Sequence, residues 1–236
     1  MRDGPHAYWR RYDPVMTTGR LLGSGRMADV YEIDGTWVLR RYRDPYGDAA
    51  AEAVVMDHVR GHGYPVPGVR SATRSDLVME RLTGPTMGEA LLEGRLSPQE
   101  GGAMLARLLR DLHALPARRF ADPAVSVLHL DLHPLNVIMT ADGPKVIDWA
   151  TAEEGSPGLD WGMSAVILAQ VALLGEPQVA GVRELLAAML AGQEGASALT
   201  EAGLAKARAR RAANPTMTGR EVEVLGEAED LIRALL

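Results

Sequence analysis

Apolar residues follow two different rhythms along this chain, and the rhythm changes near residues 82–85. Before that point the runs are short and β-like. Segments 20–23 and 28–33 flank the glycine pair of Gly23-Ser24-Gly25, and Asp34-Gly35 is a tight-turn dipeptide before 36–42, which predicts a hairpin. The alanine-rich stretch 48–61 follows, with Val54, Val55, His58 and Val59 as its apolar positions, and predicts a helix that Pro65 and Pro67 end. Segment 76–82 is one more strand, and Thr83-Gly84-Pro85 is a natural break.

Beyond the break the spacing becomes mostly helical. Ser97-Pro98-Gln99-Glu100 combines an N-cap, a proline at the first helical position and a glutamate placed for a capping box. The helix it opens carries Met104, Leu105, Leu108, Leu109 and Leu112 on one stripe. Three short β-like pieces, 125–130, 136–139 and 144–147, come next, the last two joined by Ala141-Asp142-Gly143. From Asp160 the chain reads as helices broken near Gly175, Gly195 and Asn214-Pro215. Strands first and helices afterwards predict an α+β fold of two lobes, 1–84 and 85–236.

Composition narrows the classes. With 236 residues, 47% of them hydrophobic, the chain has ample material for a core. A formal charge of −6 argues against a nucleic-acid binder, which carries a basic face. There is no cysteine, which excludes disulfides and thiolate metal sites and suits a cytoplasmic protein. The first fourteen residues are polar, with Arg2, Asp3, Arg10 and Arg11, and lack the apolar core of a signal peptide. The longest apolar run, 163–174, is too short to span a bilayer and predicts a buried helix, so no membrane partner is expected.

The chemistry concentrates in His129-Leu130-Asp131-Leu132-His133-Pro134-Leu135-Asn136, followed by Ile147-Asp148-Trp149. Each residue type is common in turns on its own. In this order, with two hairpin strands between Asn136 and Asp148, they form a constellation. A carboxylate on a loop can accept a hydroxyl proton, and an amide oxygen with a second carboxylate suits a hard cation such as Mg²⁺.

The two segments resemble the His-x-Asp-x-His-Pro-x-Asn loop and the Ile-Asp-Trp segment of the aminoglycoside phosphotransferase and choline kinase-like family, which has the protein kinase-like fold. The resemblance covers residues 21–161. It implies that Asp131 is the catalytic base, that Asn136 and Asp148 bind Mg²⁺, and that ATP binds between the lobes. It further implies that His129, His133 and Asp160 support the catalytic loop, whereas His113 is expected to be a packed histidine. On the nucleotide side, Gly23, Ser24 and Gly25 are similar to a phosphate-positioning loop, with Ala28 where a protein kinase has its third glycine. Arg40 stands where the fold places its phosphate-gripping lysine, and Glu52 matches the acid that pairs with that cation. Alternation sends the neighbouring Arg41 to the other face. Glu80 and Leu82 fall in the segment whose backbone meets adenine. The family often has glycine where Leu130 and Leu135 stand, which marks a distinct subfamily.

The expected activity is transfer of the γ-phosphoryl group of ATP to a hydroxyl of a small molecule. A protein Ser/Thr kinase and a catalytically silent nucleotide-binding regulator are the alternatives. The first is disfavoured because no Ala-Pro-Glu follows Asp148 and the interval to Asp160 is too brief for a long activation loop. From residue 171 onward nine acids face seven bases, a net of −2, only mildly acidic for a polycationic acceptor. The basic cluster 206–211 reads as a solvated helix face, and Glu153 and Glu154 are the acidic candidates for contacting an amine. Few aromatics, 5%, argue against a choline-type cage.

Overall fold

A computed structural model describes residues 18–25, 27–43, 47–175 and 181–236. The polar N-terminal stretch with Arg2, Asp3, Arg10 and Arg11, together with Arg26 and Glu176, lies outside the described residues. The chain divides into two units, Met1–Thr83 and Gly84–Leu236.

The first unit is an antiparallel sheet with one helix. Its strands are β1 (Leu21–Ser24), β2 (Ala28–Glu32), β3 (Trp37–Tyr42), β4 (Val69–Ala72) and β5 (Asp76–Glu80), in the order β1-β2-β3-β5-β4. Asp34 closes the β2–β3 turn itself: its Oδ1 accepts the backbone N–H groups of Thr36 and Trp37 at 2.7 and 2.9 Å. That turn sets the register Val30↔Arg40 and Tyr31↔Leu39. With the register set, Val38, Arg40 and Tyr42 share one face of β3, and all three are buried. Strand β4 carries Val69 and Ala72 beside two polar residues and gave no alternation to predict it by.

Helix α1 (Ala49–Gly61) begins where the Asp48 carboxylate accepts the N–H groups of Ala50 and Ala51. Its buried face is Ala49, Glu52, Ala53, Met56 and Val59. Of the expected apolar positions Val59 is buried, but Val54, Val55 and His58 are only half-buried, so the helix is turned from the hydrophobicity-only orientation. The rotation buries a carboxylate, and that is favourable only because the carboxylate is paired.

The second unit is mainly helical. Helix α2 (Met87–Leu92) and helix α3 (Pro98–His113) both open with capping boxes, Thr86 with Glu89 and Ser97 with Glu100. The α3 stripe of Leu105, Leu108, Leu109 and Leu112 is buried as the spacing predicts. Two strand pairs follow for the catalytic region. Strand β6 (Ser126–Leu128) pairs with β9 (Glu153–Gly155), and β7 (Val137–Thr140) pairs with β8 (Gly143–Val146). Helix α4 (Pro157–Leu174) is buried from Gly158 to Gln170 with little break and forms the axis of the unit. It is long and apolar enough to cross a membrane, yet 72% of it is buried within the fold, as in a core helix.

Helices α5 (Val182–Ala191), α6 (Glu201–Ala212), α7 (Gly219–Glu223) and α8 (Leu225–Leu235) complete the unit. Helix α6 approaches α4 through glycines: a Cβ on Gly203 would stand 2.2 Å from the carbonyl oxygen of Gly158, a backbone atom with no room to give.

Candidate active site

Asp131 sits at the end of a chain of constraints that begins inside the core. Leu128 closes the β6–β9 ladder opposite Glu153, and the chain then turns sharply through Leu130, whose φ of +64° lies in the left-handed region. That conformation costs a leucine roughly 1–2 kcal/mol. Asp160, fully buried in the first turn of α4, holds it in place. Its Oδ2 accepts the N–H of His129 at 2.9 Å, and its Oδ1 accepts that of Leu130 at 2.7 Å. His113, at the end of α3, meets the same Oδ2 through Nε2 at 3.0 Å, and its Nδ1 meets the Ser197 hydroxyl at 2.8 Å. Burial alone pushes the Asp160 carboxyl up, but the bonds and charges of His113 and His129 more than offset it, and it lies below the usual carboxylate range.

His129 braces the loop from inside. Its Nδ1 accepts the N–H of Asp131 at 3.2 Å, so the other nitrogen is the donor, and Nε2 meets the carbonyl of Ile147 at 3.0 Å. Burial pushes its pKa down, which keeps the ring neutral and fits that single-donor arrangement. Trp149 packs its ring edge against His129 with centroids 4.8 Å apart. The Thr151 hydroxyl donates to the His129 carbonyl at 2.8 Å. Thr151 carried no sequence signal, because a threonine after an Asp-Trp pair is unremarkable without the fold.

His133 caps the short 3₁₀ turn Pro134–Asn136, accepting the N–H of Leu135 at its Nδ1, 3.3 Å away. The turn places Asn136 against Asp131. Its amide nitrogen reaches the Asp131 carbonyl at 2.9 Å and carboxylate at 3.1 Å. The β7–β8 ladder then does the rest: Ile147 N–H donates to the Asn136 carbonyl at 3.0 Å, so Asp148 follows directly beside Asn136. Asp148 also lies in the left-handed region, with φ +65°, a conformation that aspartate tolerates. Asp131, Asn136 and Asp148 are thus gathered by one turn and one two-stranded ladder. Burial pushes the Asp131 carboxyl up, but contacts with His133, then His129 and Arg211, outweigh it and hold Asp131 below the usual range.

The donor chemistry fits Mg²⁺. Asn136 commits its amide nitrogen to Asp131, which leaves its carbonyl oxygen as the ligand atom, and Asp148 adds a carboxylate. Among the described residues no group of three or more His, Cys, Asp or Glu forms a metal site. Two protein oxygens completed by phosphate and water are the usual way this ion is held.

Glu154 departs from the expectation of an amine contact. Both of its oxygens accept backbone N–H groups, from Arg118 and Arg119 at 3.0 Å each, and the side chain is 4% exposed. It closes the loop after α3, and both of its oxygens are engaged there. Glu153 is paired with Arg210 at 2.6 Å. The basic cluster on α6 is likewise more than a solvated face: Arg208 meets Glu229 at 3.2 Å and Arg211 Nε donates to Gln170 at 3.0 Å.

In the first unit, Arg40 Nη1 meets Glu52 Oε1 at 2.5 Å, both side chains being almost fully buried. The Tyr42 hydroxyl donates to the other Glu52 oxygen at 2.5 Å, and the Arg40 guanidinium lies 4.9 Å from the Tyr42 ring centre. Tyr42 lies two residues past Arg40, on the same strand face, and was not singled out because only the register shows which face meets α1. Arg41 points away, to Asp76 at 2.7 Å. On the glycine loop, Gly25 N–H donates to Ala28 at 2.9 Å and Ser24 donates to Asp29 at 2.7 Å. Arg43 donates to Ser24 Oγ at 2.6 Å and to the Gly25 carbonyl at 2.8 Å, and also pairs with Asp29. A Cβ on Gly23 would meet nothing within 4 Å. Glu80 accepts the Gly68 N–H at 3.0 Å, and Leu82 is half-buried.

The fold recurs in solved kinases. An ethanolamine kinase from Plasmodium vivax superposes with a TM-score of 0.58 at 8% identity, over 92% of this chain and 84% of the other. An amicoumacin kinase in complex with AMP-PNP, Ca²⁺ and Ami gives 0.55 at 14% identity, over 97% and 91%. A choline/ethanolamine kinase family protein from Mesorhizobium loti gives 0.53 at 17%, over 92% and 87%. At these identities the likeness establishes the protein kinase-like fold. No curated protein matches the sequence. The sequence profile of the phosphotransferase enzyme family (APH) matches residues 18–126 and 115–208, most of the chain. The protein therefore belongs to that family and is a phosphotransferase.

Proposed function

We propose that the protein transfers the γ-phosphoryl group of ATP to a hydroxyl of a small molecule, with Mg²⁺ as cofactor. The observation that carries this is the placement of Asn136, whose amide nitrogen bonds Asp131 at 2.9 and 3.1 Å while its backbone carbonyl is tied to the residue before Asp148. One residue thereby sets the spacing between a proton acceptor and a pair of cation ligands. Mg²⁺, when bound, neutralises phosphate charge.

Asp131 takes the hydroxyl proton as the acceptor oxygen bonds to the γ-phosphorus and the bond to the leaving ADP oxygen breaks, its electron pair leaving with ADP. Its depressed pKa keeps it ionised and ready at neutral pH. Asn136 and Asp148 hold the cation, and His129, His133 and Asp160 keep the loop in shape. Arg40, oriented by Glu52 and Tyr42, grips phosphate oxygens, and Gly23, Ser24 and Gly25 let backbone approach them. Near Glu80 and Leu82 the backbone meets the base. The protein acts in the cytoplasm.

Two measurements test this. Mg·ATP is expected to raise the melting temperature of the wild type and much less that of Asp148→Ala. An ADP-release screen over aminoglycosides, other antibiotics, sugars, hydroxy acids and amino alcohols is expected to find an acceptor, with Asp131→Asn slower by about 10²–10⁴-fold. No thermal shift in the wild type removes the nucleotide assignment, and undiminished turnover by Asp131→Asn removes Asp131 from the mechanism.

A further inference from the structure

Polar contacts rather than packing hold the glycine loop of the first unit, and several of them meet at Arg43. Strand β1 is exposed along its length. A Cβ on Gly23 would meet nothing within 4 Å, and one on Gly25 would meet the Ala28 carbonyl oxygen at 3.5 Å. Arg43, the first residue past β3, gathers both flanks of the loop. On the β1 side its guanidinium donates to the Ser24 hydroxyl at 2.6 Å and to the Gly25 carbonyl at 2.8 Å. On the β2 side its backbone N–H donates to the Met27 carbonyl at 2.9 Å, and its side chain pairs with the Asp29 carboxylate. Ser24 closes the ring by donating its own hydroxyl hydrogen to Asp29 at 2.7 Å.

This clip engages the loop from one side of the sheet. Residues directly opposite in an antiparallel pair point to the same face. The registers are Ser24↔Asp29, Asp29↔Arg41 and Val30↔Arg40. Ser24, Asp29 and Arg41 therefore share the face opposite to the one on which Arg40 meets Glu52. A loop held from that face meets a ligand on the Arg40 face already in place, and the entropy of ordering it is not subtracted from binding. The Arg43 and Asp29 side chains are 44% and 21% exposed, so the pair adds little to the stability of the whole unit.

We propose that Arg43, anchored by Asp29, is a positioning residue for the nucleotide: it holds Ser24 and Gly25 in the conformation that receives the phosphates of ATP, without touching them itself. The inference rests on the proposed ATP site and adds a determinant of nucleotide affinity that does not contact the ligand. Arg40 is the cation that meets phosphate, and Arg43 is the one that sets the loop. The two roles differ in what they require of Asp29. A clip needs that carboxylate, whereas a cation that binds phosphate directly is weakened by a negative charge beside it.

Isothermal titration calorimetry of the full chain with Mg·ATP, ADP and adenosine tests this and needs no acceptor. The wild type is compared with Arg43→Ala, Arg43→Lys, Asp29→Ala and, as a charge control in the same unit, Arg74→Gln at an exposed position. Both alanine variants are expected to weaken Mg·ATP and ADP by roughly 5- to 30-fold. Adenosine affinity and the melting temperature of the free protein are expected to stay near wild type, while amide hydrogen exchange over residues 21–31 speeds up. Arg43→Lys is expected to recover part of the loss, and Arg74→Gln to match the wild type. Three results overturn the proposal and leave the ATP site intact. They are an unchanged Mg·ATP affinity in Arg43→Ala, an equal loss for adenosine, and unchanged or tighter Mg·ATP binding in Asp29→Ala, which marks Arg43 as a direct phosphate ligand. A wild type that binds no Mg·ATP overturns the proposed function itself and this inference with it.

Discussion

Asp160 Oδ1 accepts the backbone N–H of Leu130 at 2.7 Å, and Leu130 is held there at φ +64°. A core carboxylate thus holds a strained turn one residue before Asp131. Asp160→Ala leaves the N–H groups of His129 and Leu130 without this acceptor and His113 with only its contact to Ser197. Removing one member of such a buried cluster costs about 3–5 kcal/mol, and chemical denaturation reads it directly. A loss near the surface-substitution range, within about 0.5 kcal/mol, contradicts this role.

Acid stability follows from the same residue. Its folded pKa is lowered, so its contribution is fully present above the ordinary carboxylate value of 3.8 and is lost as pH falls through the lower folded value. Melting curves of the wild type are therefore expected to be steady through neutral pH and to fall steeply below about pH 4. Asp160→Asn, which has no such proton to gain, is expected to be less stable at neutral pH and flatter in acid. Parallel curves for the two proteins exclude the linkage.

Leu130→Gly sets relief of strain against loss of burial. Glycine removes roughly 1–2 kcal/mol of left-handed strain, but the leucine side chain is 1% exposed, and removing a buried leucine costs about 2–5 kcal/mol. Burial wins, and the variant is expected to be less stable by about 1–3 kcal/mol. A glycine variant more stable than the wild type reverses that ranking.

Glu52 joins Arg40 and Tyr42 in the first unit. Glu52→Ala removes the carboxylate of a buried ion pair and is expected to cost about 3–5 kcal/mol, whereas Tyr42→Phe removes one hydrogen bond and costs about 1 kcal/mol. Thermal melts of the two variants rank them. Equal losses mean that Arg40 does not depend on its partner.

Turnover is expected to be flat across about pH 5–8, the range in which a histidine base titrates. Asp131 is held ionised below that range, and burial keeps His129 neutral. A limb near pH 6.5 in kcat/KM points to a histidine as the proton acceptor instead.

Much of the site was legible because it is local. The capping box at Ser97, the turn at Asp34-Gly35 and the paired strands between Asn136 and Asp148 each depend on neighbours within a few residues, so spacing identifies them. Glu52 facing Arg40 was legible as a motif, but the helix rotation that buries it was not, since the apolar positions Val54, Val55, His58 and Val59 point to a face of which only Val59 is fully buried. Strand β4 and helix α2 are too short and too mixed to leave a periodic signal.

By itself, the sequence determined the change from strands to helices and the family, and it singled out Asp131, Asn136 and Asp148 as candidates, because residue type and spacing along one loop carry that information. Tertiary structure alone decided what surrounds them. It placed Asp160 under Leu130, gave Tyr42 to Glu52, committed Glu154 to a loop and brought Arg211 from α6 into the field of Asp131. Those pairings join residues as much as 80 positions apart. Their energetics come from burial and helix packing, which no local pattern encodes.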